Sequence, residues 1–416
     1  MVVFGSFVCY FIADGWAYSF GVVFTDLLNY FDESKGKTAT IGALIYAVPL
    51  LISPLPCALC NLYGTRPVTV AGGCICAASF IISTFVNSLE MLMLTLGVAV
   101  SVGLALTYVP AILSVTYYFE TRRGLAVGLA VTGSGLGAFA FAPFMQHLLK
   151  IYSWRGTMLV LGGLTFHIVA AGLLFFPLRK RMQPPDDAVN NDIELLDSCS
   201  IRQDNVMKIE LEEKEHLNNS SNNSAGDRSH CGRVCSEVHT IRASMCDTAL
   251  YRNGLFILYC VSGLLCYMWA GTPYVYLYDK ARLLGFSDTD AAWLLSAIGI
   301  SRTVGQVLLG SLADLKQVNT VLLYAVSIFL CGLATALLPH CTIYPLLLTY
   351  ATVFGFFISV TYALQILCIV ELCGMDKATN AFGIYQLIQG LATLLGTPIP
   401  GECSAYMYSI LRLVVL

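Results

Sequence analysis

Asp14 and Arg302 each stand in the middle of a long apolar run, one near the start of the chain and one in its later half. A charge surrounded by hydrocarbon is costly and normally faces neighbouring helices or an aqueous cavity. Two kinds of chemistry fit such a pair. An aspartate and an arginine can form a buried structural ion pair. They can instead line a cavity, where the planar guanidinium grips a carboxylate. The aspartate then balances the arginine, binds a substrate cation or accepts a proton. His147 and His167 also lie in apolar runs and read as packing or interface residues. No nucleophile, base and orienting acid converge, so the chain is not read as an enzyme and no cofactor is expected.

Other patterns have plainer readings. Gly133-Ser134-Gly135-Leu136-Gly137 resembles a phosphate loop in spelling, but no strand precedes it and no P-loop lysine follows. Gly124 with Gly128, and Gly133 with Gly137, instead place small residues four apart on one helix, which lets helix backbones approach closely. Cys57 and Cys60 form a CxxC without a second pair or a nearby histidine, so no metal site is expected. The 16 cysteines are scattered, mostly in apolar runs, and read as small packing side chains.

The elements that must position Asp14 and Arg302 follow from composition. Of 416 residues, 57% are hydrophobic and 12% charged, and the mean hydropathy is +0.72. A soluble domain carries about twice that share of charge, so lipid is the expected solvent. A net charge of −3 does not suggest a nucleic-acid partner, and none is expected. Apolar runs of span length cover 2–28, 38–60, 67–86, 92–117, 124–149 and 157–178, then 255–278, 291–312, 320–338, 344–370 and 381–398. Runs this long are helices rather than barrel strands. Between the two sets, residues 179 to about 250 turn polar and rich in Asn, Ser, Asp and Glu, which predicts a disordered linker. The expected plan is an all-α membrane protein of two bundles. An N-terminal six-helix bundle (1–178) and the linker (179–250) precede a C-terminal bundle (251–416) without a twelfth helix. About eleven spans are visible where such a plan has about twelve. Lysine and arginine are more frequent on the linker's side, which places the linker in the cytosol.

The residues Tyr118 to Gly128, YFETRRGLAVG, resemble the YF-x-x-RR-x-LA-x-G signature of the monocarboxylate transporter family, within the major facilitator superfamily. The stretches YGTRPVTVAGG, TGSGLGAF, SWRGTMLVLGG, PYVYLYDKARLLGFSDTDAAWLLSAIGI and NAFGIYQLIQGLATLLGTPIPG are similar to the same family. The resemblance covers nearly the whole chain outside the linker. It implies a major facilitator fold and alternating-access transport at the plasma membrane. The substrate would be a small organic anion or zwitterion, with proton or cation coupling as one option. Some family members also work with a single-span accessory glycoprotein. Arg122 and Arg123 of the signature would sit at the cytosolic mouth as anchors or a gate.

The chain departs from the family at three places. Its Asp14-Gly15-Trp16 lies too deep to match the DGGWGW that usually precedes the first helix. Classical proton-coupled lactate carriers have a lysine in the first helix, and Val22 stands at the matching position. They also have an aspartate and an arginine one turn apart in the eighth helix. Aligned on Gly310, Arg302 takes the aspartate's place and Gln306 the arginine's. Positions four apart share a helix face, so the cation shifts by one turn within the same cavity, and Gln306 joins Asp14 and Arg302 as a candidate site residue. Finally, the sequence after PIPG diverges where the family continues into a twelfth helix. A non-transporting membrane scaffold or truncated splice product of the family is the alternative reading, and a helical channel is a further one.

Overall fold

The computed structural model describes residues 1–31, 33–175, 250, 253–269 and 272–396, and these are helical with short turns. The linker and the end of the chain, with the expectations attached to them, lie outside the described residues. The first half begins with α1, Val2–Phe31. In α2, Lys35–Leu51 continues after a bend as Pro54–Tyr63. The 47° bend falls where Pro54 cannot donate to the helix ladder. Thr65–Ser83 is α3, and Leu89–Tyr118 is α4, with a π-helical stretch at Met93–Ala99.

The helical run Arg123–Leu173 holds two elements, because Ser153 breaks it with φ 55°. They are α5 before the break and α6 after it. The sequence places a short turn there; the backbone instead turns within one residue. In the second half, α7 comprises Gly254–Trp269 and Thr272–Leu283. Asp288–Ala313 is α8 and Thr320–Leu337 is α9. Tyr344–Ile358, Val360–Ala363 and Gln365–Cys373 together form α10, and Met375–Gly396 is α11. Seven of the described helices are long and apolar enough to cross a membrane, or eight if the bent α2 is one span. Two of the eleven apolar runs join in the one helical run Arg123–Leu173, and Gly254–Met268 is a shorter apolar helix.

Polar side chains set the helix starts. Ser34 caps α2 by accepting from the Lys37 amide, Ser287 caps α8 by accepting from Asp290, and Asn319 caps α9 by accepting from Leu322. Gly64 and Gly374, at φ 84° and 78°, close the ends of α2 and α10 in the left-handed region. Large apolar residues such as Phe139 and Phe329 remain exposed around the outside, as expected where lipid is the solvent.

The glycines of α5 do two different jobs. A Cβ at Gly133 or Gly137 would strike the backbone of α1 at Phe7 or Phe11. A Cβ at Gly124 or Gly128 would strike the backbone of α8 at Gly310 or Gln306. Thus α5 is a wedge between its own half and the other, and the four glycines expected to form one packing stripe divide between two partners. Their close approach positions α1 and α8, which carry Asp14 and Arg302.

Candidate functional site

Asp14 and Arg302 come together around Ser134 of α5. The Arg302 guanidinium donates through Nη2 to the Ser134 Oγ at 2.9 Å. The Asp14 carboxylate faces the same hydroxyl and lies in the field of Arg302. Tyr108 of α4 donates its phenol proton to Asp14 Oδ1 at 2.6 Å. Three helices of the first half and one of the second therefore meet at one polar point.

Tyrosines surround it. The Arg302 guanidinium carbon sits 3.9 Å from the ring centre of Tyr362 on α10 and 5.4 Å from that of Tyr18 on α1. Its Nη1 donates to the Tyr18 hydroxyl at 3.4 Å, and the Tyr18 and Tyr362 hydroxyls are 3.4 Å apart across the two halves. Tyr46 of α2 lies beside Tyr18, with ring centres 5.8 Å apart, and donates to the Ala17 carbonyl. Tyr10 packs on Tyr108 with ring centres at 5.6 Å. Arg302 itself is 5% exposed, whereas Tyr18 and Tyr46 are 38% and 39% exposed. Tyr18 and Tyr46 are thus the more exposed side chains, and the guanidinium is buried behind them.

Gln306 lies one turn along α8 from Arg302 and is 0% exposed. Neither amide atom has a hydrogen-bond partner among the described residues. Its backbone carbonyl forms the wall against Gly128. Gln306 is therefore placed in the α5–α8 seam.

Arg122 and Arg123 are elsewhere, at the end of the bundle where α4 turns into α5. Arg122 is exposed. Arg123 donates its Nε to the carbonyls of Thr116 at 2.9 Å and Phe119 at 3.0 Å, closing the end of α4. A contact between the halves at this face comes from Asp314 at the end of α8. Its carboxylate accepts from the backbone amides of Gly124 at 2.6 Å and Leu125 at 2.8 Å. Amides at a helix start are orphan donors in a positive field, which a carboxylate satisfies. Asp314, Arg123, Glu120 and Glu371 line a shared cleft of about 240 Å³. On the other side of the same face, Asn61 of α2 donates to Asn380 of α11 at 2.8 Å, and Tyr117 of α4 lies 2.5 Å from Thr379 of α11. Both seams between the halves are closed here.

Asp314→Asn removes the charge and one acceptor from the α5 start while leaving the packing in place. The expected cost to the closed face is about 1 kcal/mol. A cysteine at Ala313 in this background should react with an impermeant maleimide several-fold faster than in the parent. Equal rates would mean that the carboxylate does not hold this face shut.

Sequence reasoning missed Ser134, which sat inside a glycine run read as packing, and the tyrosines, which an apolar chain rich in aromatics does not single out. It also missed a buried polar cluster in the second half. Gln365 of α10 donates to Gln386 and Gln389 of α11 at 3.1 and 3.4 Å. Tyr324 and Tyr385 approach hydroxyl to hydroxyl at 3.3 Å, and Tyr259 stacks on Tyr385 with centres at 4.5 Å. Among the described residues no three His, Cys, Asp or Glu side chains group in a way that could hold a metal ion. Cys57 and Cys60 are free and buried, and Cys57 packs at Gly383 of α11.

The family model of the Major Facilitator Superfamily matches residues 6–397. Monocarboxylate transporter 13 of Bos taurus is 30% identical, over 96% of this chain and 82% of that protein. Monocarboxylate transporter 9 of Pongo abelii is 29% identical, over 96% and 86%. Monocarboxylate transporter 12 of Xenopus laevis is 29% identical, over 96% and 81%. Among solved structures, the proton:xylose symporter XylE bound to 6-bromo-6-deoxy-D-glucose superposes with a TM-score of 0.62 at 14% identity, covering 98% of this chain and 89% of that one. At that identity the likeness concerns the fold alone.

Proposed function

Because the chain belongs to the monocarboxylate transporter family of the major facilitator superfamily, we propose that it moves a small organic acid or zwitterion across the plasma membrane by alternating access. The observation that carries this reading is the meeting of Asp14 and Arg302 around Ser134. The two charges come from α1 and α8, in opposite halves, so rocking the halves opens the site to either side while the charges stay near the middle. Arg302 binds the substrate carboxylate once a tyrosine gives way, since guanidinium and carboxylate match in charge and shape. Tyr362 and Tyr18 hold the guanidinium by cation–π contact until then. Asp14 compensates the arginine in the empty site.

Coupling follows from the same pair. A monoanion adds one negative charge to a site whose two charges already cancel. A proton travelling with it, carried at Asp14, restores the balance and makes the carrier a symporter for such substrates. With the linker on the cytosolic side, the contacts of Asp314, Asn61 and Tyr117 form the cytosolic gate, and the described state is closed toward the cytosol. Gln306, one turn deeper in the α5–α8 seam, serves the gate's movement through its unpartnered amide when the seam opens.

The test is uptake into proteoliposomes of a panel of labelled carboxylates and amino carboxylates, with and without a pH gradient. Saturable flux and counterflow are expected for at least one compound. Flux that rises linearly with concentration would indicate a channel, and no protein-dependent flux at all would indicate a scaffold.

A further inference from the structure

Resting on the alternating-access reading above, we propose that the turn between α5 and α6 is a loaded joint: Ser153 holds backbone strain while the Asp314 face is shut, and the strain is released as that face opens. Among the described residues Ser153 is the one non-glycine with a positive φ. At φ 55° and ψ −179° it adopts a conformation nearly confined to glycine and costly for a residue with a Cβ. The turn leaves little room to relax. A Cβ at Gly156 would strike Tyr152, and the Thr157 hydroxyl donates to the Ser153 carbonyl at 2.8 Å.

Such strain persists only where the surroundings leave the backbone no alternative. Trp154 and Arg155 supply that constraint. The Trp154 ring is buried and packs on Tyr30 and Phe31 at the end of α1, with ring centres 5.3 and 5.8 Å apart. The Arg155 guanidinium carbon lies 5.5 Å from the Tyr30 ring centre and 5.1 Å from that of Trp154. Its Nη2 donates to Asn87 Oδ1 at 2.6 Å and to the Val86 carbonyl at 3.4 Å. One side chain thus ties together the end of α1, the turn between α3 and α4, and the start of α6.

Helix α5 connects this joint to the closed face. Its glycines seat it on α1 at Phe7 and Phe11 and on α8 at Gly310 and Gln306. When α8 parts from it, α5 must change its tilt against one half or the other. One end of α5 holds the amides bonded by Asp314. The other end is Ser153, about 40 Å away at 1.5 Å per residue. A helix carries tilt along its length, and the residue at its end absorbs the change of angle in φ and ψ. The strained serine raises the energy of the shut state, so it biases the molecule toward opening. The Arg155 clasp opposes that bias by holding the turn as it is.

The experiment uses the full chain in nanodiscs, where a maleimide reaches both faces. A cysteine at Ala313 reports opening of the Asp314 face, and its labelling rate is read by mass spectrometry on the peptide that holds it. Ser153→Gly relieves the strain and should slow labelling by about fivefold or more. Arg155→Gln loosens the clasp and should speed labelling by about threefold, the scale of its cation–aromatic contacts. The two changes thus act in opposite directions on a reporter at the far end of α5. A turn strained alike in both states would leave the Ala313 cysteine rate at its parent value in both variants, and that result overturns the inference. Faster labelling in Ser153→Gly overturns it as well. If Arg155→Gln does not fold, Ser153→Gly decides alone, since it removes only a hydroxymethyl group. These rates are measured without substrate. Failure of the uptake panel would therefore strike the transport reading, while the labelling rates would still decide whether the turn is coupled to the closed face.

Discussion

Arg302→Gln is expected to lower kcat/KM for every transported substrate by at least about a hundredfold, since truncating one partner of a buried, hydrogen-bonded charge contact to a ligand costs roughly 2–5 kcal/mol. The glutamine keeps much of the volume and can still reach Ser134. It cannot grip a carboxylate with a charged fork, and it leaves Asp14 without its counter-charge. Asp14→Asn should be comparably damaging to folded yield, because it strands the guanidinium between Tyr362 and Tyr18. The double variant removes both charges, so its yield in the membrane should recover above that of either single variant while transport stays absent. That pattern separates a transport site from a purely structural pair, for which the double variant would transport normally. Uptake and surface yield measured on the four proteins check it. Parent-like uptake by Arg302→Gln would remove Arg302 from the site.

The second large effect is expected at Gly128. A Cβ there meets the backbone carbonyl of Gln306 on α8, which has no side-chain rotamer with which to yield. Gly128→Leu must push α5 from α8, and overpacking of this kind costs about 1–3 kcal/mol. Since this seam forms one side of the closed face, the change should favour the state in which this face is open. Transport should fall by about tenfold or more, on the scale of that cost. A cysteine at Ala313 should become more reactive toward an impermeant maleimide. Gly163→Leu, at a position of α6 where a Cβ meets nothing, is the matched control and should transport normally. Normal transport by Gly128→Leu would show that the seam has room the structure does not reveal.

The helices were readable because a membrane demands long apolar runs, and that demand leaves an unmistakable trace in sequence. Asp14 and Arg302 were readable for the same reason, since charge inside such a run needs an explanation. Their common partner was not. Ser134 is a small polar residue among glycines, and nothing in the pattern GSGLG distinguishes a hydrogen-bonding serine from a spacer. Tyr18, Tyr46, Tyr108 and Tyr362 were hidden in another way, because tyrosine is common throughout this chain and only three-dimensional placement gathers these four. Asp314 was not singled out, because its bond to the α5 amides depends on a contact 190 positions away in sequence. The glycines of α5 were seen as a packing stripe, but spacing alone does not tell which neighbour each one meets. Arg122 and Arg123 stood out as a motif, and the geometry has Arg123 finish α4 while Asp314, which the motif does not mark, bonds the α5 start. Gln306 entered through alignment alone, and the fold buries it beside the seam rather than in the open cavity.

The central claim, that the carboxylate of the substrate rests on Arg302 between the two halves, is tested most directly by equilibrium binding to the purified protein. The labelled compound best transported in the uptake panel is titrated against the parent, Arg302→Gln and Asp314→Asn. Binding is expected to be at least about a hundredfold weaker in Arg302→Gln and within about threefold of the parent in Asp314→Asn, whose side chain lies at the gate and not at the site. A parent-like Kd for Arg302→Gln in a folded protein would contradict the claim.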